Sequence, residues 1–193
     1  MVPKLDLIVL GLLSQKSMHG YRIAEFFLGK GIHDWMAVKK PSVYKALNRL
    51  EDEKYISGEY QTEVGKPPRK VFHITPEGKK HIREILKSFF FTKKFTSPPE
   101  FWHYLRFAKG NLTQTEFIKA IENRIQISNK FEEKMLEKKN QALRSGMLDD
   151  MPFYGKIVEN MMKKFQQASA EALEQMKQEA LLPENKSIFI QED

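Results

Sequence analysis

The apolar spacing of this chain changes period twice between residues 43 and 89, and that double change restricts its folding more than any other feature. Val43, Ala46, Leu47 and Leu50 recur at three and four residues, the spacing of one helix face. Residues 55–64 and 70–75 are instead rich in β-formers, and they flank Gly65-Lys66-Pro67-Pro68, which cannot stay in a strand. Ile82, Ile85, Leu86 and Phe89 then return to the helical spacing after Thr75-Pro76-Glu77, which supplies a cap, a first-turn proline and a dipole-matched acid. A helix, a hairpin with a proline-stiffened tip and another helix must follow one another.

Upstream, Leu5, Ile8, Val9, Leu12 and Leu13 form one buried helical stripe. Ser17 is placed to cap a second helix through Tyr21, Ala24, Phe27 and Leu28, which Gly29-Lys30-Gly31 stops, and Pro41 opens the third. The order α-α-α-β-β-α predicts a winged helix-turn-helix over residues 1–92 within a mainly α chain. Ser97-Pro98-Pro99 marks a junction into a second, helical module at 97–182. It opens with a short aromatic helix holding Phe101, Trp102, Tyr104, Leu105 and Phe107. Two long amphipathic helices follow at about 114–144 and 153–182, the first announced by the capping-box pair Thr113 and Glu116. Their seams, through Phe117, Ile121, Ile125 and Met135 and through Ile157, Met161 and Phe165, are too narrow to be buried in one thin hairpin. A second copy is expected to cover them, making this a dimerisation domain; a bundle with the short aromatic helix is the competing arrangement. Residues 183–193 are mostly polar and read as a flexible tail, of which Ile188-Phe189-Ile190 is the part able to dock.

The formal net charge of +7 is unevenly placed: residues 1–92 hold 16 Lys and Arg against 10 Asp and Glu, and the remainder 16 against 15. The basic excess therefore sits in the first module and suits a polyanionic partner, without separating DNA from RNA or an acidic membrane. The absence of cysteine excludes disulfides, thiolate zinc sites and cysteine nucleophiles. The apolar run from Leu7 to Leu13 is too short for a membrane span, and no small-residue cleavage site follows it, so a soluble cytoplasmic protein is expected. Histidines 19, 33, 73, 81 and 103 lack zinc-protease spacing, and His33-Asp34 and Asp149-Asp150 read as loop polarity. Gly29-Lys30-Gly31 ends a helix instead of following a strand, and no nucleophile elbow or paired catalytic acid stands out, so a non-enzyme without metal or cofactor is expected.

Opposite the apolar edge of the third helix lie Ser42, Lys45, Asn48 and Arg49, with Tyr44 beside them, the donor and acceptor face that a groove-reading helix needs. Arg49 suits guanine and Asn48 adenine, whereas Lys39, Lys40 and Lys45 suit phosphates. A merely solvated surface helix would carry the same residues. The hairpin offers Lys66, Arg69 and Lys70 to a duplex, or is a plain turn. Aromatic residues crowd the joint between the modules, and Phe91, Phe101, Trp102 and Tyr104 are the candidates for holding an apolar or aromatic effector, with ordinary core packing as the alternative. Trp35 reads as a packing residue.

The stretches Leu10-Gly11-Leu12-Leu13, Met18-His19-Gly20-Tyr21, the run from Ser42 through Glu51, Gly65-Lys66-Pro67-Pro68-Arg69-Lys70 and Thr75-Pro76-Glu77-Gly78 resemble the PadR family of transcriptional regulators. The resemblance covers roughly residues 5 to 90, and the helical remainder is similar to that family's dimerisation domain by pattern. It implies a homodimer that binds double-stranded DNA at an inverted-repeat operator, usually as a repressor and often released by a small molecule such as a phenolic acid or a toxic drug. It also implies DNA contacts at Tyr21, Ser42, Tyr44, Lys45, Arg49, Arg69 and Lys70. Gly20 is expected to permit close packing and Tyr21 to combine packing with a phosphate contact. Lys54-Tyr55 stands where the family usually has Gly-Leu, and Val71 and His73 stand where Tyr and Arg are frequent. Two other functions remain open at this point: a winged-helix protein-interaction module on a coiled-coil scaffold, and a regulator that binds DNA without small-molecule input.

Overall fold

The computed structural model describes residues 4–28, 38–62, 68–92, 98–146 and 152–191. Lys66, Trp35, His33-Asp34, Gly29-Lys30-Gly31 and Asp149-Asp150 lie outside these residues. The first part of the chain runs α1 (Lys4–Gln15), β1 (Met18–His19), α2 (Gly20–Leu28), α3 (Lys40–Asp52), β2 (Ile56–Gln61), β3 (Arg69–Ile74) and α4 (Pro76–Phe90). This is a winged helix, and its hairpin is in register from Ile56↔Ile74 to Gln61↔Arg69. The sheet has a third strand that the hairpin reading lacked: β1 pairs antiparallel with β3 through Met18↔Phe72 and His19↔Val71, giving the order β1-β3-β2. Ser17 accordingly does not open α2, which begins at Gly20; its Oγ lies 2.7 Å from His73 Nδ1 instead. Two residues are too few for alternation to register in a sequence.

Val43, Leu47, Leu50, Ile82 and Leu86 are buried, as their spacing predicts, and Ile56 of the first hairpin strand is buried with them. α1 goes further, since every residue from Asp6 to Leu13 is buried instead of one stripe. A reason lies at Gly11, where an added Cβ would sit 2.2 Å from the Phe107 ring, so glycine is what admits that ring to α1. Asn111 Nδ2 donates to Ser14 Oγ at 3.0 Å, and the Phe89 and Tyr104 rings stack with centroids 3.5 Å apart. Full burial of one such aromatic side chain contributes about 2–3 kcal/mol, enough to hold this segment on the winged helix. The structure has two compact units: one comprises Met1–Phe89 with Phe101–Leu112, the other Phe90–Glu100 with Thr113–Asp193.

Local geometry fixes the passage from α3 to the sheet. The N–H of Tyr55 bonds to the Leu50 carbonyl and that of Lys54 to the Glu51 carbonyl, both at 2.9 Å, the paired bonds of a Schellman helix end. Lys54 takes the left-handed position at φ 64°. Thr75 Oγ1 accepts from the Gly78 N–H at 3.0 Å, capping α4 as expected, and donates to the Lys54 carbonyl at 2.7 Å.

α5 (Pro98–Leu105), α6 (Gln114–Arg144) and α7 (Phe153–Leu181) complete the helices. Thr113 and Glu116 form the expected capping box. α6 and α7 run antiparallel, joined by Lys177–Glu122 at 2.9 Å, by Lys139–Glu159, and by Gln114 Nε2 donating to the Ala180 carbonyl at 2.6 Å. Residues expected to form a flexible tail are built into this unit. Pro183–Ile188 is a 3-10 helix, Ile190 bridges to Thr113, and the Phe189 ring lies 5.3 Å from that of Phe117, so the apolar residues of the segment dock as its alternative reading allowed. Met135, Phe153, Ile157, Met161 and Phe165 stay 49–78% exposed along α6 and α7. Among the described residues no helix is long and apolar enough to cross a membrane.

Candidate nucleic-acid interface

α3 follows an extended Lys39 and takes its first turn from Pro41, with no side-chain cap. Lys39, Lys40 and Lys45 are all exposed there and, with the positive end of the helix dipole, make this end of α3 positive. Glu51, Asp52 and Glu53 occupy the other end. Charge thus reverses along α3, and only its N-terminal half is suited to approach a polyanion. With Val43, Ala46, Leu47 and Leu50 buried, Ser42, Tyr44, Lys45 and Asn48 face outward, as the spacing predicts.

An open groove of about 610 Å³ lies beside this face, lined by His19, Gly20, Tyr21, Arg22, Tyr44, Asn48, Arg69, Lys70 and Phe72. It brings Tyr21, Tyr44, Asn48, Arg69 and Lys70 together from α2, α3 and β3. Lys39, Lys40, Ser42 and Lys45 are exposed but do not line it. Gly20 has the expected packing role, because an added Cβ would meet the Phe72 ring at 3.1 Å and Tyr44 at 3.3 Å. His19, Arg22 and Phe72 were missed by sequence reasoning. Arg22 was accessible to it, as the neighbour of Tyr21 on the polar side of an amphipathic helix; His19 and Phe72 depend on the unexpected pairing of β1 with β3.

Three of the expected contact residues are engaged in internal bonds. Arg49, expected to read guanine, hydrogen-bonds instead to Asp6 of α1, whose side chain is 3% exposed, and lies 3.4 Å from Glu53. The Asp6 hydrogen bond strengthens the hold of the guanidinium on its proton, against a smaller opposing effect of burial. Removing the arginine would leave a buried carboxylate uncompensated, a loss on the order of several kcal/mol, so Arg49 is an α1–α3 tie. Lys70, expected on a phosphate, has its Nζ 2.6 Å from Glu51 Oε2 and 5.2 Å from the centroid of the Phe72 ring. The Tyr21 hydroxyl donates to Glu25, and that bond raises its pKa above the ordinary phenol value. Arg69, Lys45 and Asn48 are exposed.

The aromatic candidates separate. Phe101 and Tyr104 are buried and Trp102 is half-buried in the first unit, its ring 5.3 Å from that of Phe101, edge to face. Phe91 is 41% exposed and belongs to the second unit. Among the described residues no group of three or more His, Asp or Glu side chains is placed to hold a metal ion.

The model of the transcriptional regulator PadR-like family matches residues 9–84. A PadR-like transcriptional regulator from Bacillus cereus is 30% identical, with 44% of this chain and 79% of that one covered and a TM-score of 0.37. A PadR family transcription regulator from Clostridium difficile is 29% identical over 45% of this chain and 85% of its own, with a TM-score of 0.39. Bacillus subtilis PadR, solved in complex with operator DNA, is 17% identical over 92% of this chain and 99% of its own, with a TM-score of 0.41. The matched residues span α1 through most of α4, the elements that build the groove and present α3, and through them this chain belongs to the PadR-like family of transcriptional regulators.

Proposed function

We propose that this protein is a cytoplasmic, sequence-specific DNA-binding regulator that acts as a homodimer on an inverted-repeat operator, most simply as a repressor. The observation that carries the reading is the outward, N-terminally basic face of α3 beside a groove holding Tyr21, Tyr44, Asn48 and Arg69. Asn48 and Tyr44 are then the base-reading residues, with the Asn amide matched to the adenine edge in the major groove. Lys39, Lys40 and Lys45 neutralise phosphates at the helix start, Ser42 donates to one, and Arg69 holds the wing, where Lys66 is proposed to join it. The apolar residues left exposed on α6 and α7 support the homodimer, because a band of that kind is ordinarily covered by a partner.

Titration of duplex affinity against salt tests this reading. Lys45→Ala and Arg69→Ala should each flatten the slope of log affinity against log salt by about one unit on any sequence, whereas Asn48→Ala should cost about 1–3 kcal/mol of discrimination with the slope kept. Duplex affinity that ignores salt, together with a stable protein partner in a pull-down, would support an interaction module instead. A small aromatic or hydrophobic effector is the proposed releasing signal, supported by the aromatic run around residues 89–107. A thermal-shift screen against aromatic acids and cationic drugs should find a stabilising compound, and no shift with any of them contradicts this part.

A further inference from the structure

Two cations expected to touch DNA are already neutralised within the protein. Lys70 and Glu51 are paired at 2.6 Å with side chains only 29% and 27% exposed, and the ammonium lies against the Phe72 ring. Arg49 is held by Asp6 and Glu53. A phosphate could draw either cation away only by leaving a carboxylate beside the polyanion. Whichever partner the cation takes, the local charge of a one-to-one pair sums to zero, and that of Arg49 with its two acids is negative. Neither cation therefore adds to the counterion release that drives sequence-independent binding.

Building on the DNA-binding reading, we infer that Glu51 and Asp6 are positioning residues that restrain non-specific binding: they hold Lys70 and Arg49 off the phosphates and leave backbone contacts to Lys39, Lys40, Lys45 and Arg69. Specificity then rests on a small electrostatic contribution, so that base contacts weigh more in the total.

Fluorescence anisotropy with a mixed-sequence duplex of about 30 base pairs, between roughly 50 and 200 mM salt, tests this. Glu51→Gln should steepen the salt slope by about 0.9 and bind this duplex about fivefold more tightly near physiological salt. Glu51→Asp should keep the wild-type slope, and Lys70→Ala should change it by less than about 0.3. The double variant Glu51→Gln/Lys70→Ala should return to the wild-type slope. A Lys70→Ala slope flatter by about 0.9, with Glu51→Gln unchanged, would overturn the inference by making Lys70 an ordinary phosphate contact. Asp6→Asn/Glu53→Gln is the parallel test for Arg49, and a folded variant without a steeper slope overturns that half. If it fails to fold, Glu51→Gln decides, since that pair lies nearer the surface. Wild-type binding that depends on salt, with an unaltered Glu51→Gln slope, overturns this inference alone; salt-independent binding by both proteins overturns the DNA-binding reading with it.

Discussion

Lys54 holds a left-handed backbone at φ 64°, at the helix end where glycine is the usual residue. The two Schellman bonds and the Thr75 hydroxyl on its carbonyl hold it there against a conformational cost of about 1 kcal/mol. Lys54→Gly should therefore raise the unfolding free energy by up to about 0.5 kcal/mol, the strain relieved less the extra entropy of glycine in the unfolded chain. Urea denaturation reads this directly, and a lowered midpoint would contradict it. Arg49 shows where residue-level reading from sequence stops. Its place on the polar side of α3 follows from spacing, but its partner Asp6 lies 43 positions away, inside an apolar run that hides a buried acid. Base-reading chemistry and an internal tie require the same guanidinium, so the choice between them depends on packing that no local pattern encodes.

At the scale of elements, the helices, the hairpin and the caps at Thr75 and Thr113 were legible because each rests on local chemistry with a fixed spacing. β1 was not, since Met18 and His19 become a strand only by pairing with Phe72 and Val71, far along the chain. The same limit hid part of the groove: Tyr44, Asn48, Arg69 and Lys70 were identifiable as polar faces, but their meeting with His19 and Phe72 is a product of the sheet. α1 was read as one stripe because part of its burial comes from Phe107 against Gly11, far along the chain. α3 carries the functional argument of this scale. Its basic start and its run of three acids at the other end orient it, so that in the proposed complex a duplex would meet Ser42 and Lys45 before Glu51. An acid placed near a helix C-terminus is unfavourable toward the helix dipole, and the Lys70–Glu51 pair offsets part of that cost.

The whole molecule joins a winged helix, which presents α3, to a long antiparallel hairpin with an uncovered apolar band. That band supports the proposed homodimer, in which two-fold symmetry would set two copies of α3 about one helical turn of DNA apart, roughly 34–36 Å. The chain contains no cysteine, so Ser42→Cys, a near-isosteric change at an exposed position on α3, can carry a single DNA-cleaving iron chelate. Bound to DNA from upstream of its own gene, the tagged protein is predicted to cut the duplex at two short patches about one turn apart, each facing the major groove. Retained duplex binding with no cleavage from position 42 would contradict the assignment of α3 as the helix that meets DNA.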